Sequence, residues 1–179
     1  MTVERMGEAF ELDEKLTVVG RKLAAGDPAP DFALDRWDGS AMQSVTLADT
    51  AGKVRLLNIV NSLDTPVCEV ETRRWEQLRT DLPAGVTLYT ISMDLPWAMA
   101  RWNAAEKVEH HGLSSHRDDT FGRDYGVLIK EWRLLQRAVF VIGTDDRIVH
   151  AEYVNDQMLE PDYDAAIAAA RIAVGPPTV

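Results

Sequence analysis

RLLNIVNSLDTPVCEVETRRWEQLRTDLPAGVTLYTISM, residues 55–93, decides the fold. It opens on a nearly continuous apolar run, RLLNIV (55–60), as expected of a strand covered on both faces. After a polar break comes PVCEVETRRWEQLRTDL (66–82), where Val67, Trp75, Leu78 and Leu82 fall on one helical face. Pro83 and Gly85 stop that helix, and VTLYTISM (86–93) reads as a second buried strand. Two apolar strands joined by one helix make a βαβ unit, whose strands run parallel.

Working outward, LTVVG (16–20), DFAL (31–34) and SVTL (44–47) read as short strands, the last two flanking a turn at WDGS (37–40). GDPAPDF (26–32) is extended, because each residue before a proline avoids the helical region. On the other side, Pro96 opens a helix, PWAMARWNAAEKV, and DDTFGRDYGV (118–127) holds a shorter one. RAVFVIG (137–143) and RIVHAEYV (147–154) flank the turn TDD and form an antiparallel hairpin. A last helix starts at EPDYD with Pro161 in its first turn, and Tyr163, Ile167, Ala170 and Val174 form its buried stripe. The order βαβ, α, ββα is that of an α/β, thioredoxin-like fold, a central mixed sheet flanked by helices, with an N-terminal β-hairpin extension. This gives one domain over 16–174, a loosely held segment at 1–15 and a tail at 175–179.

The chain has 179 residues, enough for one domain with a sizeable core. Its 29 acidic and 19 basic residues give a formal net charge of −10, so a phosphate backbone is repelled and nucleic acid is excluded as a partner. No apolar run approaches the ~20 residues that cross a bilayer. The start, MTVERMGEAFELDEK, lacks the basic-then-apolar order of a secretory signal, so a cytoplasmic location is expected. A single cysteine forms no intramolecular disulfide.

That cysteine, Cys68, sits between a strand ending near Val60 and a helix starting near Pro66. Thr65 stands at the cap and Pro66 at the first helical position, so Cys68 falls within the first turn. The first turn carries unpaired N–H groups and the positive end of the helix dipole. Both favour the thiolate, the nucleophilic form of the side chain. Glu69 and Glu71 oppose this, and Arg73 and Arg74 are expected to offset them in part. The Thr65 hydroxyl can donate to a bound oxygen or accept from an arginine.

The run LNIVNSLDTPVCEVETRRW resembles the peroxidatic motif of the thiol peroxidases, a bacterial subgroup of the peroxiredoxins whose signature is Ser-x-Asp-Thr-x-Val-Cys. LTVVGRKLAAGDPAPDFAL, AGKVRLLNIV, ISMDLPWAMARW, YGV, QRAVFVI and EPDYDAAIAA match further family segments in order, from about Leu16 to Val174. The resemblance implies a homodimer of thioredoxin fold that reduces hydrogen peroxide and organic hydroperoxides. It matches the peroxidatic cysteine to Cys68, the peroxide-orienting threonine to Thr65 and the stabilising arginine to Arg137. Read without it, Arg137 is a strand-end surface arginine. The implied reaction turns Cys68 into a sulfenic acid and requires no metal or organic cofactor.

Two departures from the family stand out. Asn103 occupies the place of the resolving cysteine, so reduction must come from an external thiol: thioredoxin, glutaredoxin or a small thiol. Asn61 stands where peroxiredoxins generally carry proline, which leaves the site more polar and less shielded. These two residues also support a second reading, a catalytically weak redoxin-fold protein that senses peroxide or binds a partner. His110, His111 and His116 read as solvated loop residues rather than metal ligands, since no acid or cysteine completes a binding spacing. Trp75 fits the core, while Trp97, Trp102 and Trp132 fit either core or a dimer face. Ser62 and Asp64 are expected to shape the loop before the helix.

Overall fold

The computed structural model describes residues 3–175. In chain order the first strands are β1 (Glu4–Glu11), β2 (Glu14–Val19), β3 (Ala33–Trp37), β4 (Met42–Thr46) and β5 (Val54–Ile59). Helix α1 (Pro66–Leu78), strand β6 (Val86–Ser92), helix α2 (Pro96–Glu106), strand β7 (His111–Ser114) and helix α3 (Thr120–Asp124) follow. The chain continues through β8 (Leu128–Ile129), β9 (Leu134–Leu135), β10 (Ala138–Ile142), β11 (Ile148–Tyr153) and α4 (Tyr163–Val174).

Seven strands form the central sheet in the order β11-β10-β5-β6-β7-β3-β4. Strands β5, β6 and β7 run parallel, as the βαβ reading requires, and their neighbours are antiparallel. Every residue of β5 is buried because both faces are covered. Val54 and Leu56 pack with Trp75 of α1 and Ile167 of α4 on one side. Leu57 and Ile59 pack with Phe32, Phe121 and Tyr125 on the other. Arg55, within the same strand, is tolerated because its guanidinium donates to Thr50 Oγ1 (2.9 Å), to the carbonyls of Leu47 and Gly143, and to Asp146 (2.5 Å).

The expected face of α1 is found in part, with Trp75 buried and Leu78 and Leu82 packed against its cluster, but the buried surface extends to residues that were not expected. Cys68, Glu71, Thr72 and Trp75 point inward, Val67 is only half-buried, and Leu82 lies beyond the helix. The final helix starts two residues later than expected: Pro161 precedes the cap, and Asp162 caps it by accepting from the Ala165 N–H at 3.0 Å. Val174 is exposed rather than part of the buried stripe.

Residues 4–11, read from the sequence as loosely held, form β1 and pair with β2. With β8 and β9 this hairpin makes a second sheet, in the order β1-β2-β8-β9. Gly20 has φ +101° and a Cβ there would meet the Arg123 carbonyl at 2.0 Å, so only glycine lets the end of the hairpin cross the α3 segment. The C-terminal tail expected at 175–179 falls almost wholly outside the described residues.

Candidate active site

The end of β5 and the start of α1 place Cys68 beneath the surface. Thr65 has extended backbone angles and occupies the cap, although its hydroxyl donates to the Ser62 carbonyl (2.9 Å) instead of capping the helix. The loop between strand and helix is fastened by Asp94, which accepts from Ser62 Oγ (2.7 Å) and from the Leu63 N–H (2.8 Å). Ser62 therefore shapes the loop as expected, and Asp94 is its unforeseen partner. Cys68 is fully buried with Val60, Leu63 and Met99, and Trp102 closes over this group.

Arg137 lies directly before β10 and turns inward, with 1% of its surface exposed. Its Nη2 lies 3.5 Å from Cys68 Sγ and also donates to the Gln157 carbonyl at 2.9 Å. Its Nη1 donates to Glu71, one helical turn beyond the cysteine. The structure thus brings Cys68 and Arg137 into contact, with Thr65 at the neighbouring cavity wall. Arg137 is not a surface arginine.

Glu71 is completely buried, and burial pushes its carboxyl up to about 8, against the pull of Arg137. Burial opposes the Arg137 charge in turn, but Glu71, and after it Cys68, hold the guanidinium above its ordinary value. This changes the expected charge balance. Arg73 answers Glu69 and Glu106 at the surface, and Arg137 is what answers Glu71.

Asn61, 5% exposed, faces the sulfur. The Cys68 thiol donates to Asn61 Oδ1 at 3.8 Å, while Nδ2 donates to the Leu135 carbonyl (2.6 Å) and to Gln157 Oε1 (3.0 Å). Gln157 escaped the sequence reading, since nothing in its loop marks it. Glu71 could have been found by its spacing of three from Cys68, which places both on one helical face. A cavity of about 390 Å³ opens beside the site, walled by Asn61, Thr65, Arg137, Trp132, Leu134 and Met158 among others.

The other sequence-marked residues lie apart from the cysteine's contacts. Asn103 donates to the His110 carbonyl at 3.2 Å. His110 is buried, not solvated: its Nδ1 lies 2.7 Å from Glu76 and its Nε2 2.8 Å from Thr90 Oγ1. His111 belongs to β7, and no group of metal-binding side chains occurs among the described residues. Trp97 is half-exposed against Trp37, and Trp132 packs on the N-terminal hairpin. No helix among the described residues is long and apolar enough to cross a membrane.

A thioredoxin-like sheet that presents one cysteine at a helix start, with a guanidinium at its sulfur, is the framework of a thiol redox protein. Residues 24–167 match the Redoxin family, and the chain belongs to it. The thiol peroxidase of Streptococcus sanguinis is 47% identical over 161 residues, covering 89% of this chain and 96% of that protein. That of Bacillus subtilis (strain 168) is 43% identical over 162 residues, covering 89% and 93%. Among solved structures, a peroxiredoxin-like protein from Aquifex aeolicus superposes with a TM-score of 0.83 at 29% identity, covering 92% of this chain and 96% of its own. The thiol peroxidase from Chromobacterium violaceum does so with a TM-score of 0.75 at 25% identity, covering 88% and 91%.

Proposed function

We propose that the chain is a thiol-dependent peroxidase whose reacting constellation is Cys68, Thr65 and Arg137. The observation that carries the assignment of residues is the 3.5 Å approach of Arg137 Nη2 to a cysteine in the first turn of α1. The kinship with thiol peroxidases carries the activity.

The Cys68 thiolate attacks the distal oxygen of a hydroperoxide. The S–O bond forms as the O–O bond breaks, and the leaving oxygen takes a proton to become water or an alcohol. Cys68, oxidised by two electrons, becomes a sulfenic acid. Arg137 stabilises both the thiolate and the charge that grows on the leaving oxygen, and its planar fork stays anchored on Glu71 while it does so. The Thr65 hydroxyl, at the cavity wall, orients the peroxide. No step uses a metal or an organic cofactor.

With one cysteine in the chain, the cycle closes through an external thiol. That thiol attacks the sulfenic sulfur, water leaves, and a second thiol releases Cys68 from the mixed disulfide. Thioredoxin, glutaredoxin or a small thiol in the cytoplasm is the reductant of this proposal, and a homodimer its working form.

Stopped-flow oxidation by hydrogen peroxide and by cumene hydroperoxide, with sulfenic acid trapped at Cys68, tests it. Fast oxidation that disappears in Cys68→Ser is the expected result. A rate no greater than that of a free thiol would overturn the assignment.

A further inference from the structure

The two amides beside Cys68 are locked in orientation. Asn61 Nδ2 has two acceptors before it, the Leu135 carbonyl at 2.6 Å and Gln157 Oε1 at 3.0 Å. Gln157 is fixed in the same way: its Nε2 donates to the carbonyls of Val154 (2.7 Å) and Asn155 (3.0 Å), and its Oε1 also accepts the Arg137 backbone N–H at 3.0 Å. Reversing either amide would set acceptor against acceptor in a buried place, so the network assigns both orientations.

The sulfur therefore sits between a fixed acceptor, Asn61 Oδ1 at 3.8 Å, and a fixed donor, Arg137 Nη2 at 3.5 Å. A thiolate has no proton and uses the donor alone. A sulfenic acid has one proton on oxygen and lone pairs to accept with, and so uses both. The site is matched to the product of the first oxidation as well as to the attacking thiolate.

We infer that Asn61 Oδ1 accepts the hydroxyl of the Cys68 sulfenic acid and holds that intermediate neutral, with Gln157 as the residue that positions Asn61. This rests on the peroxidase reading of Cys68. Over-oxidation proceeds through the ionised sulfenate: its sulfur attacks a second hydroperoxide, an S–O bond forms, the O–O bond breaks, and water or alcohol leaves a sulfinate. A hydroxyl donated to Asn61 keeps its proton, so this second step is slowed while the external thiol arrives. A chain with one cysteine has no internal thiol to divert the intermediate, and Asn61 takes on its protection.

The test compares the wild type with Asn61→Leu, Asn61→Ala and Gln157→Leu. Stopped flow gives the first oxidation rate, and intact-protein mass after graded hydrogen peroxide gives the rate of sulfinic acid formation. The quantity read is the ratio of second to first rate, so that a change in peroxide access common to both steps cancels. Both Asn61 variants are expected to raise the ratio about tenfold, the worth of one buried hydrogen bond, and Gln157→Leu by less. Arg137, which faces the sulfur, and Glu71, which holds Arg137, are the charged and titratable groups here, and both are kept in these variants. A rise of sulfinic acid formation that begins at lower pH than in the wild type therefore reports Asn61. An unchanged or lower ratio in whichever Asn61 variant folds would overturn the role of Asn61. A wild type that forms no sulfenic acid would overturn the peroxidase reading itself, a separate and recognisable failure.

Discussion

Arg137 and Glu71, 66 positions apart in the chain, meet in a buried contact that aims the second nitrogen of the same guanidinium at Cys68. The Glu71 carboxyl group sits on the cysteine's own helix, one turn on, so cation and sulfur are referred to a single rigid element. The contact therefore acts as a gauge of where the cation lies.

Replacing Arg137 should separate its charge from its shape. Arg137→Lys keeps a cation, but a point charge cannot serve Glu71, the Gln157 carbonyl and the sulfur together. Arg137→Ala removes both and is expected to slow the first oxidation by about 10²–10³-fold, with Arg137→Lys falling between it and the wild type. Equal rates for lysine and arginine would mean that the fork is irrelevant.

Glu71 should leave a mark on the pH dependence of stability. Burial raises it from an ordinary 4.5 to about 8, with Arg137 pulling the other way. Between those values the folded chain holds a proton that the unfolded chain has lost. The contribution to stability is therefore fully present below the unfolded value and declines as pH rises to about 8. Urea midpoints across this range should fall in the wild type more than in Glu71→Gln, and parallel curves would contradict the assignment.

His110 should act with the opposite sign. Burial lowers it from 6.5 while Glu76 resists, so below 6.5 the unfolded chain takes up a proton that the folded one refuses. Stability is lost as pH falls through that window. His110→Gln should flatten the acid side of the profile. His110→Ala should cost about 1–3 kcal/mol by removing the ring's two buried hydrogen bonds, to Thr90 and Glu76, as read by thermal melting near neutral pH.

Trp75 should be the most costly side chain of α1 to truncate. It is fully buried and meets Tyr163 of α4 edge-on, with ring centres 4.9 Å apart. Trp75→Ala is expected to destabilise the chain by about 3–5 kcal/mol in equilibrium unfolding. A loss under 1 kcal/mol would mean that α1 and α4 are held by other contacts.

The strands were legible where burial is two-sided: β10 is an apolar run, β5 nearly one, and β6 is rich in β-branched and aromatic residues. The inward face of α1 was legible at Trp75, Leu78 and Leu82 but not at Glu71 and Thr72, because hydropathy turns such residues outward. The placement of Thr65 at the cap of α1 and of Cys68 in its first turn was legible from the strand, the cap residue and Pro66. Arg137 entered only through a family resemblance, since nothing beside β10 distinguishes an inward arginine from an outward one. Gln157 and His110 were hidden because their partners come from distant segments, and pairing across the fold has no local signature.

The N-terminal hairpin reaches further than its polar sequence implies. The Phe10 N–H donates to the Asn155 carbonyl at 2.8 Å, the Gln157 N–H donates to the Phe10 carbonyl at 2.9 Å, and Gln136 reaches the Glu8 carbonyl at 3.2 Å. The loop carrying Gln157 thus leans on residues near the beginning of the chain. A purification tag that disturbs those residues, or a version trimmed back to residue 16, would tilt the shelf on which the cysteine's neighbours rest. Assays that compare such versions would then be comparing different catalysts.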